Sequence, residues 1–185
     1  MFALTRHAWK TLRSNFWASL VFDVVVILVV MIAVHSWQIR ELPLGQEAPE
    51  TVLMSLSGEP GNSAISPGRA GVVYFFAPWC GVCRSSIGNL DDLVSDGSIA
   101  WASAVALDYE SSEEVDAFIE ETGVSLPTLM GDYATARDWR VIAFPTYFVI
   151  DASGKISSRS VGYSTSLGLR TRVALSGDAA EFVQE

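Results

Sequence analysis

Between Phe16 and Trp37 the chain reads FWASLVFDVVVILVVMIAVHSW, 22 residues of which only Ser19, Asp23, His35 and Ser36 are not apolar. At about 1.5 Å per residue such a run, as a helix, spans roughly 33 Å, the thickness of a bilayer's hydrocarbon core. It therefore predicts a single transmembrane anchor over residues 16–37, in contact with membrane lipid. Trp17 and Trp37 stand near its ends, where amphipathic rings favour the interface, and Arg6, Lys10 and Arg13 precede it. By the positive-inside rule, residues 1–15 are expected to be a cytoplasmic tail. A removable signal peptide is the competing reading, but no small-x-small cleavage site follows; AVHSWQIRELP is bulky and polar. Asp23 is the one acid in the run. It is expected either to lie hydrated near the cytoplasmic end or to meet a partner helix.

Beyond the anchor, QIRELPLGQEAPE carries Pro43, Gly45 and Pro49. This suits a tether over 38–44, with the folded domain at 45–185. From residue 41 onward the chain holds 8 basic and 20 acidic side chains, within a total net charge of −9. A domain so acidic repels phosphate backbones, which argues against nucleic acid as a partner.

Thr51–Leu56 alternates like a strand, and SGEPGNSAISPGRAG reads as loop. Gly71–Phe76, GVVYFF, is the continuous apolar run of a buried strand. A helix should follow, with Val82, Ile87, Leu90, Leu93 and Val94 at helical spacing and an end near Gly97. Ile99–Leu107 reads as a second central strand. Ser111 and Glu114 have the spacing of a capping box ahead of Val115, Phe118 and Ile119, and Gly123 closes that helix. LPTLMGD predicts a short strand and Tyr133–Trp139 a short helix. TYFVID, ASGK and ISSRSVGY predict strand, tight turn and strand, and Ser166–Ser176 a last helix. Helix-linked strands predict parallel pairing and the terminal hairpin an antiparallel pair, hence an α/β fold with a mixed sheet.

The only two cysteines, Cys80 and Cys83, fall where the buried strand gives way to a helix. Cys80 is placed where unpaired N–H groups and the helix dipole favour a thiolate, and Cys83 lies one turn inside. The spacing brings the two sulfurs within bonding reach. A disulfide across two intervening residues closes almost no loop and restrains the unfolded chain little, so a structural staple is a poor explanation. Metal binding is the other alternative. Cys-x-x-Cys supplies two ligands where closed sites usually need four, and the only histidines, His7 and His35, lie in the tail and the anchor. No metal is therefore expected, although an intermolecular Cu(I) or zinc site stays open.

VVYFFAPWCGVC resembles the apolar strand and Ala-x-Trp-Cys-x-x-Cys signature of the thioredoxin superfamily. GQEAP is similar to the entry of its membrane-tethered TlpA, ResA and CcmG-like branch. FPTYFVIDASGKI resembles the cis-proline segment and following hairpin, and VGY at 161–163 the glycine beyond it. The closest resemblance is to the suppressor-of-copper-sensitivity D type of protein disulfide oxidoreductase. The resemblance implies a thioredoxin-like fold, with Cys80 as attacking thiolate and Cys83 as the thiol that resolves the mixed disulfide. It implies Trp79 beside the sulfurs, cis Pro145 facing Cys80, and Phe144 offering its backbone to a substrate strand. From the residues alone, Pro145 is an ordinary strand-entry proline.

Two departures stand out. Tyr74 occupies the position at which thioredoxin itself has a buried aspartate, and Gly81-Val82 separates the cysteines in place of a proline-containing dipeptide. Asp108, at the carboxyl end of the second central strand, is either a proton relay or a solvated loop acid. The expectation is a single-pass protein of the bacterial inner membrane. Its domain faces the periplasm and carries no cofactor beyond the redox-active Cys80–Cys83 pair. It reduces protein disulfides with electrons from an integral-membrane donor. The alternatives are an anchored Cu(I) metallochaperone, a disulfide oxidase of the same fold, and an inert scaffold.

Overall fold

The computed structural model describes residues 16–40, 43–66 and 68–178. The expected tail 1–15, with Arg6, His7, Lys10 and Arg13, lies outside them, as do residues 41 and 42 of the expected tether. The chain divides into two compact units, Met1–Arg40 and Glu41–Glu185.

In the first unit, Phe16–Arg40 form α1, a helix of 25 residues. Its side chains are described over residues 19–34, and the large apolar ones from Leu20 to Val34 keep between 42% and 64% of their surface exposed. No face of this stretch is buried. Among the described residues no helix is long and apolar enough to cross a membrane.

The second unit is a seven-stranded sheet in the order β2-β1-β5-β4-β3-β6-β7. Its strands are β1 (Val52–Ser55), β2 (Asn62–Ser63), β3 (Gly71–Phe76), β4 (Ala102–Ala106), β5 (Thr128–Met130), β6 (Thr146–Ile150) and β7 (Ile156–Val161). The helices are α2 (Gly81–Ser95), α3 (Ser112–Thr122), α4 (Tyr133–Asp138) and α5 (Ser166–Val173). β3 runs parallel to β4, and β4 to β5, while β6 pairs antiparallel with β3 and with β7. This is the mixed sheet of the thioredoxin-like fold. All six residues of β3 are buried because both faces of the strand are covered. Val72, Tyr74 and Phe76 point into the larger core with Ile87, Leu90 and Leu93 of α2 and Phe118 of α3. On the other face Phe75 packs against Trp139 and Phe148 with ring centroids 5.2 and 5.8 Å away.

The fold takes hold just before Gly45. Pro43 is buried, Gly45 N–H donates to Ile156 O at 2.8 Å, and Glu47 bridges to Lys155. Several local expectations need correction. The segment expected to be loop after β1 contains β2, whose Asn62 and Ser63 pair with Leu53 and Val52. The second central strand begins at Ala102 rather than Ile99. Val82 is not on the buried face of α2. It is 45% exposed, because the inward stripe starts one residue later and runs through Cys83, Ser86, Ile87, Leu90 and Leu93.

Ser111 caps α3 by position but makes no side-chain cap bond, and Glu114 accepts from Glu110 N–H, so no capping box forms. The capping box is at α4 instead, where Asp132 and Thr135 serve each other's backbone N–H groups. Gly123 ends α3 in the left-handed conformation, φ 65°. The last helix is α-helical only to Val173. Over Ala174–Asp178 it widens to a π-helix, where the Ser176 hydroxyl takes the Val173 carbonyl at 2.6 Å.

Candidate active site

The centre of β3 delivers the chain through Ala77-Pro78-Trp79 to the start of α2. There Cys80 is the N-cap, with extended backbone, and its sulfur accepts from Cys83 N–H at 3.1 Å. A sulfur in that place receives an N–H group that the helix itself leaves unpaired, and it stands at the positive end of the helix dipole. Both features favour a thiolate on Cys80 once the pair is reduced. The two cysteines are joined in a disulfide with their Cα atoms 5.2 Å apart. Cys80 retains 6% of its surface and Cys83 none, so Cys80 is the reachable sulfur but is less open than an end-of-helix position suggests. Gly81 and Val82 are exposed beside it.

The Phe144–Pro145 peptide is cis. The Pro145 carbonyl accepts from Gly162 N–H at 2.8 Å, and Gly162 takes φ +88°, a conformation that glycine enters freely. The hairpin glycine thus anchors the proline loop to the far end of β7. Phe144 is half-buried and packs its ring edge against Trp79 at 5.8 Å. Its own backbone amide and carbonyl carry no hydrogen bond among the described residues.

Trp79 is 64% exposed, and its indole N–H donates both to the Asp108 carbonyl at 3.0 Å and to its carboxylate at 3.1 Å. Asp108 sits at φ 52°, a left-handed position that Asp tolerates better than most residues. Its hydrogen bonds hold Trp79 and none reaches either cysteine.

Beneath Cys83 lies a group of hydroxyls. Tyr74 Oη donates to the Cys83 carbonyl at 3.2 Å and shares a 3.3 Å hydrogen bond with Ser86 Oγ, which itself reaches the same carbonyl at 3.4 Å. Burial pushes the Tyr74 phenol up, and the neighbouring Tyr147 adds to the effect. It stays a neutral hydrogen-bonding group rather than a base. Tyr147 Oη is buried near Tyr74 and Ser86 without closing a hydrogen bond. The sequence singled out Tyr74 as a departure but not its partner Ser86. The signal was there: Ser86 is three residues beyond Cys83, on the helix face turned to the sheet. Among the described residues no group of three or more His, Cys, Asp or Glu side chains is arranged to hold a metal ion.

A Cys-x-x-Cys disulfide at a helix start, joined through Trp79 and Phe144 to a cis-proline loop on this sheet, defines a thiol-disulfide oxidoreductase of the thioredoxin fold. Residues 44–159 match the AhpC/TSA family, and the chain belongs to that family. It is 25% identical over 162 residues to the thioredoxin-like protein YneN of Bacillus subtilis, covering 81% of this chain and 95% of that one. It is 23% identical over 155 residues to the thiol-disulfide oxidoreductase ResA of Bacillus thuringiensis, covering 79% and 90%. Among solved structures, a thiol:disulfide interchange protein of the thioredoxin family from Chlorobium tepidum superposes with a TM-score of 0.63 at 27% identity. That superposition covers 72% of this chain and 97% of the other. These relatives agree with the ResA- and CcmG-like resemblance.

Proposed function

We propose that the protein is a membrane-anchored reductant of protein disulfides, with its acidic domain on the periplasmic side of the bacterial inner membrane. The observation that carries this reading is the presence, in one chain, of an apolar helix whose described side chains, over residues 19–34, leave no face buried and of a domain with a Cys80–Cys83 pair. The bacterial periplasm is kept oxidising, so a reductant there must be supplied with electrons through the membrane. A tether raises its effective concentration beside a membrane donor. The helix continues from Phe16 to Arg40, beyond the side chains that are described, and at about 1.5 Å per residue the whole of it reaches roughly 37 Å.

Cys80, as thiolate, attacks one sulfur of the substrate's disulfide. The substrate S–S bond breaks as the mixed disulfide forms, and the departing sulfur takes up a proton. Cys83 then loses its own proton and attacks Cys80 Sγ, which breaks the mixed disulfide and frees the second substrate sulfur. Two electrons have passed to the substrate, and Cys80 and Cys83 are joined. A dithiol of the membrane donor returns two electrons by the same exchange in reverse. The unpaired backbone of Phe144 beside Pro145 suits a substrate segment that adds itself by β-pairing, and Trp79, held by Asp108, walls the site. Among the described residues no carboxylate is hydrogen-bonded to Cys83 or to the Tyr74–Ser86 pair. The Tyr74–Ser86 pair holds the turn that carries it.

Protease added to intact spheroplasts is expected to digest the domain, leaving a membrane-protected fragment of the anchor's size. Protection of the domain until lysis would overturn both the orientation and the periplasmic chemistry.

A further inference from the structure

Beside the cysteines, between the start of α2 and the exposed face of α3, lies a groove of about 610 Å³. Trp79 and Tyr109 give it aromatic walls, the buried Phe118 lies beneath Arg84, and Asp108, Glu110, Glu114 and Glu121 supply four carboxylates. Among the described residues the one cation lining it is Arg84, which is already engaged. It pairs with Glu121 at 3.0 Å, donates to the Pro78 carbonyl at 3.2 Å and lies over the Phe118 ring at 5.5 Å. Asp108, Glu110 and Glu114 have no cationic partner among the described residues. Asp108 faces the neutral Trp79 indole, and Glu114 receives the Glu110 backbone N–H at 3.1 Å.

We propose that this groove is the docking site for a cationic stretch of the substrate polypeptide, one or two Lys or Arg residues flanking the disulfide that meets Cys80. The inference rests on the disulfide-exchange reading and names the substrate class for it. Three unneutralised carboxylates on one side of the reactive sulfur attract a basic segment and repel an acidic one, before any contact is made. Aromatic walls suit the same occupant. An ammonium or guanidinium group is drawn to the ring face, and its aliphatic stem covers apolar surface. The groove begins at Pro78 and Trp79, immediately ahead of Cys80, so a segment lying in it is continuous with one that presents its disulfide to the site.

The test uses the reduced full-length protein in a neutral detergent and three peptides with the same internal disulfide, flanked by Lys, Gln or Glu. The expected rate order is Lys above Gln above Glu, with about a tenfold span between the extremes at low salt. The span should shrink toward unity in about 1 M salt. In the Glu110→Gln/Glu114→Gln double variant the span should narrow, with Asp108 the one of the three carboxylates left, since Gln keeps the acceptor for the Glu110 backbone but not the charge; an unchanged span would overturn the groove as its source. The salt titration of the unaltered protein needs no variant to fold. Equal rates for the three peptides, or a preference for Glu, would overturn the groove as a cationic docking site while leaving disulfide exchange intact. Exchange with none of the peptides would overturn the exchange reading, and this inference with it.

Discussion

Cys83→Ser is expected to collect covalent complexes with substrate proteins through Cys80, whereas Cys80→Ser collects none and loses exchange to the uncatalysed background. Cys80 caps α2, holds what exposure the pair has and accepts an N–H at its sulfur, so it is the one positioned to attack. Cys83, fully buried in the first turn, can reach only a sulfur already bound to Cys80. Non-reducing gels of cells carrying each variant, followed by reduction, check this directly. In the reduced protein, Cys80 should alkylate well below the usual thiol pKa of about 8.5, and Cys83 slowly. Trapping by Cys80→Ser, or equal alkylation of both cysteines at neutral pH, would reverse the division of labour.

The placement of the two cysteines was legible in the sequence because everything that makes it is local. A six-residue apolar strand, a loop and a helix start place both cysteines within a dozen positions, and the structure begins and ends β3 at the expected residues. What was not legible depends on which distant side chain comes to rest nearby. Ser111 and Glu114 had the spacing of a capping box, yet spacing records only that the bonds are possible, and Glu114 turned to Glu110 N–H instead. Trp79 was expected beside the sulfurs. That its indole is held by Asp108, 29 positions away, follows from the way β4 ends next to the loop after β3. The groove on α3 was invisible for the same reason, since it forms only where Trp79 and Asp108 meet the exposed side of α3.

Trp139 is the clearest case of burial hidden from the sequence, and its replacement carries the largest expected loss of stability. It ends a six-residue helix, a place that suggests a surface ring, but it is fully buried. Its ring packs at a tilt against both Phe75 and Phe148, with centroids 5.2 Å away, and its indole N–H donates to Thr51 Oγ1 at 2.7 Å. Trp139→Ala should cost about 3–5 kcal/mol, a large part of the roughly 5–15 kcal/mol that holds a domain folded. Thr51→Val removes the acceptor of the Trp139 indole N–H together with the hydroxyl's own 3.2 Å donation to the Pro49 carbonyl, and should cost about 1–3 kcal/mol. Urea unfolding of the two variants measures both. A loss below about 1 kcal/mol for Trp139→Ala would mean that the ring is not a structural part of the sheet's second face.

The claim that this is a reductant fed through the membrane is tested most directly by the redox state of the Cys80–Cys83 pair in growing cells. Cells are quenched in acid, and free thiols of the full-length protein are labelled with a heavy maleimide and counted by mobility. A reductant held charged against an oxidising compartment should carry two labels on most molecules. A pair found almost entirely as the disulfide at steady state would contradict the account and favour an oxidase built on the same fold.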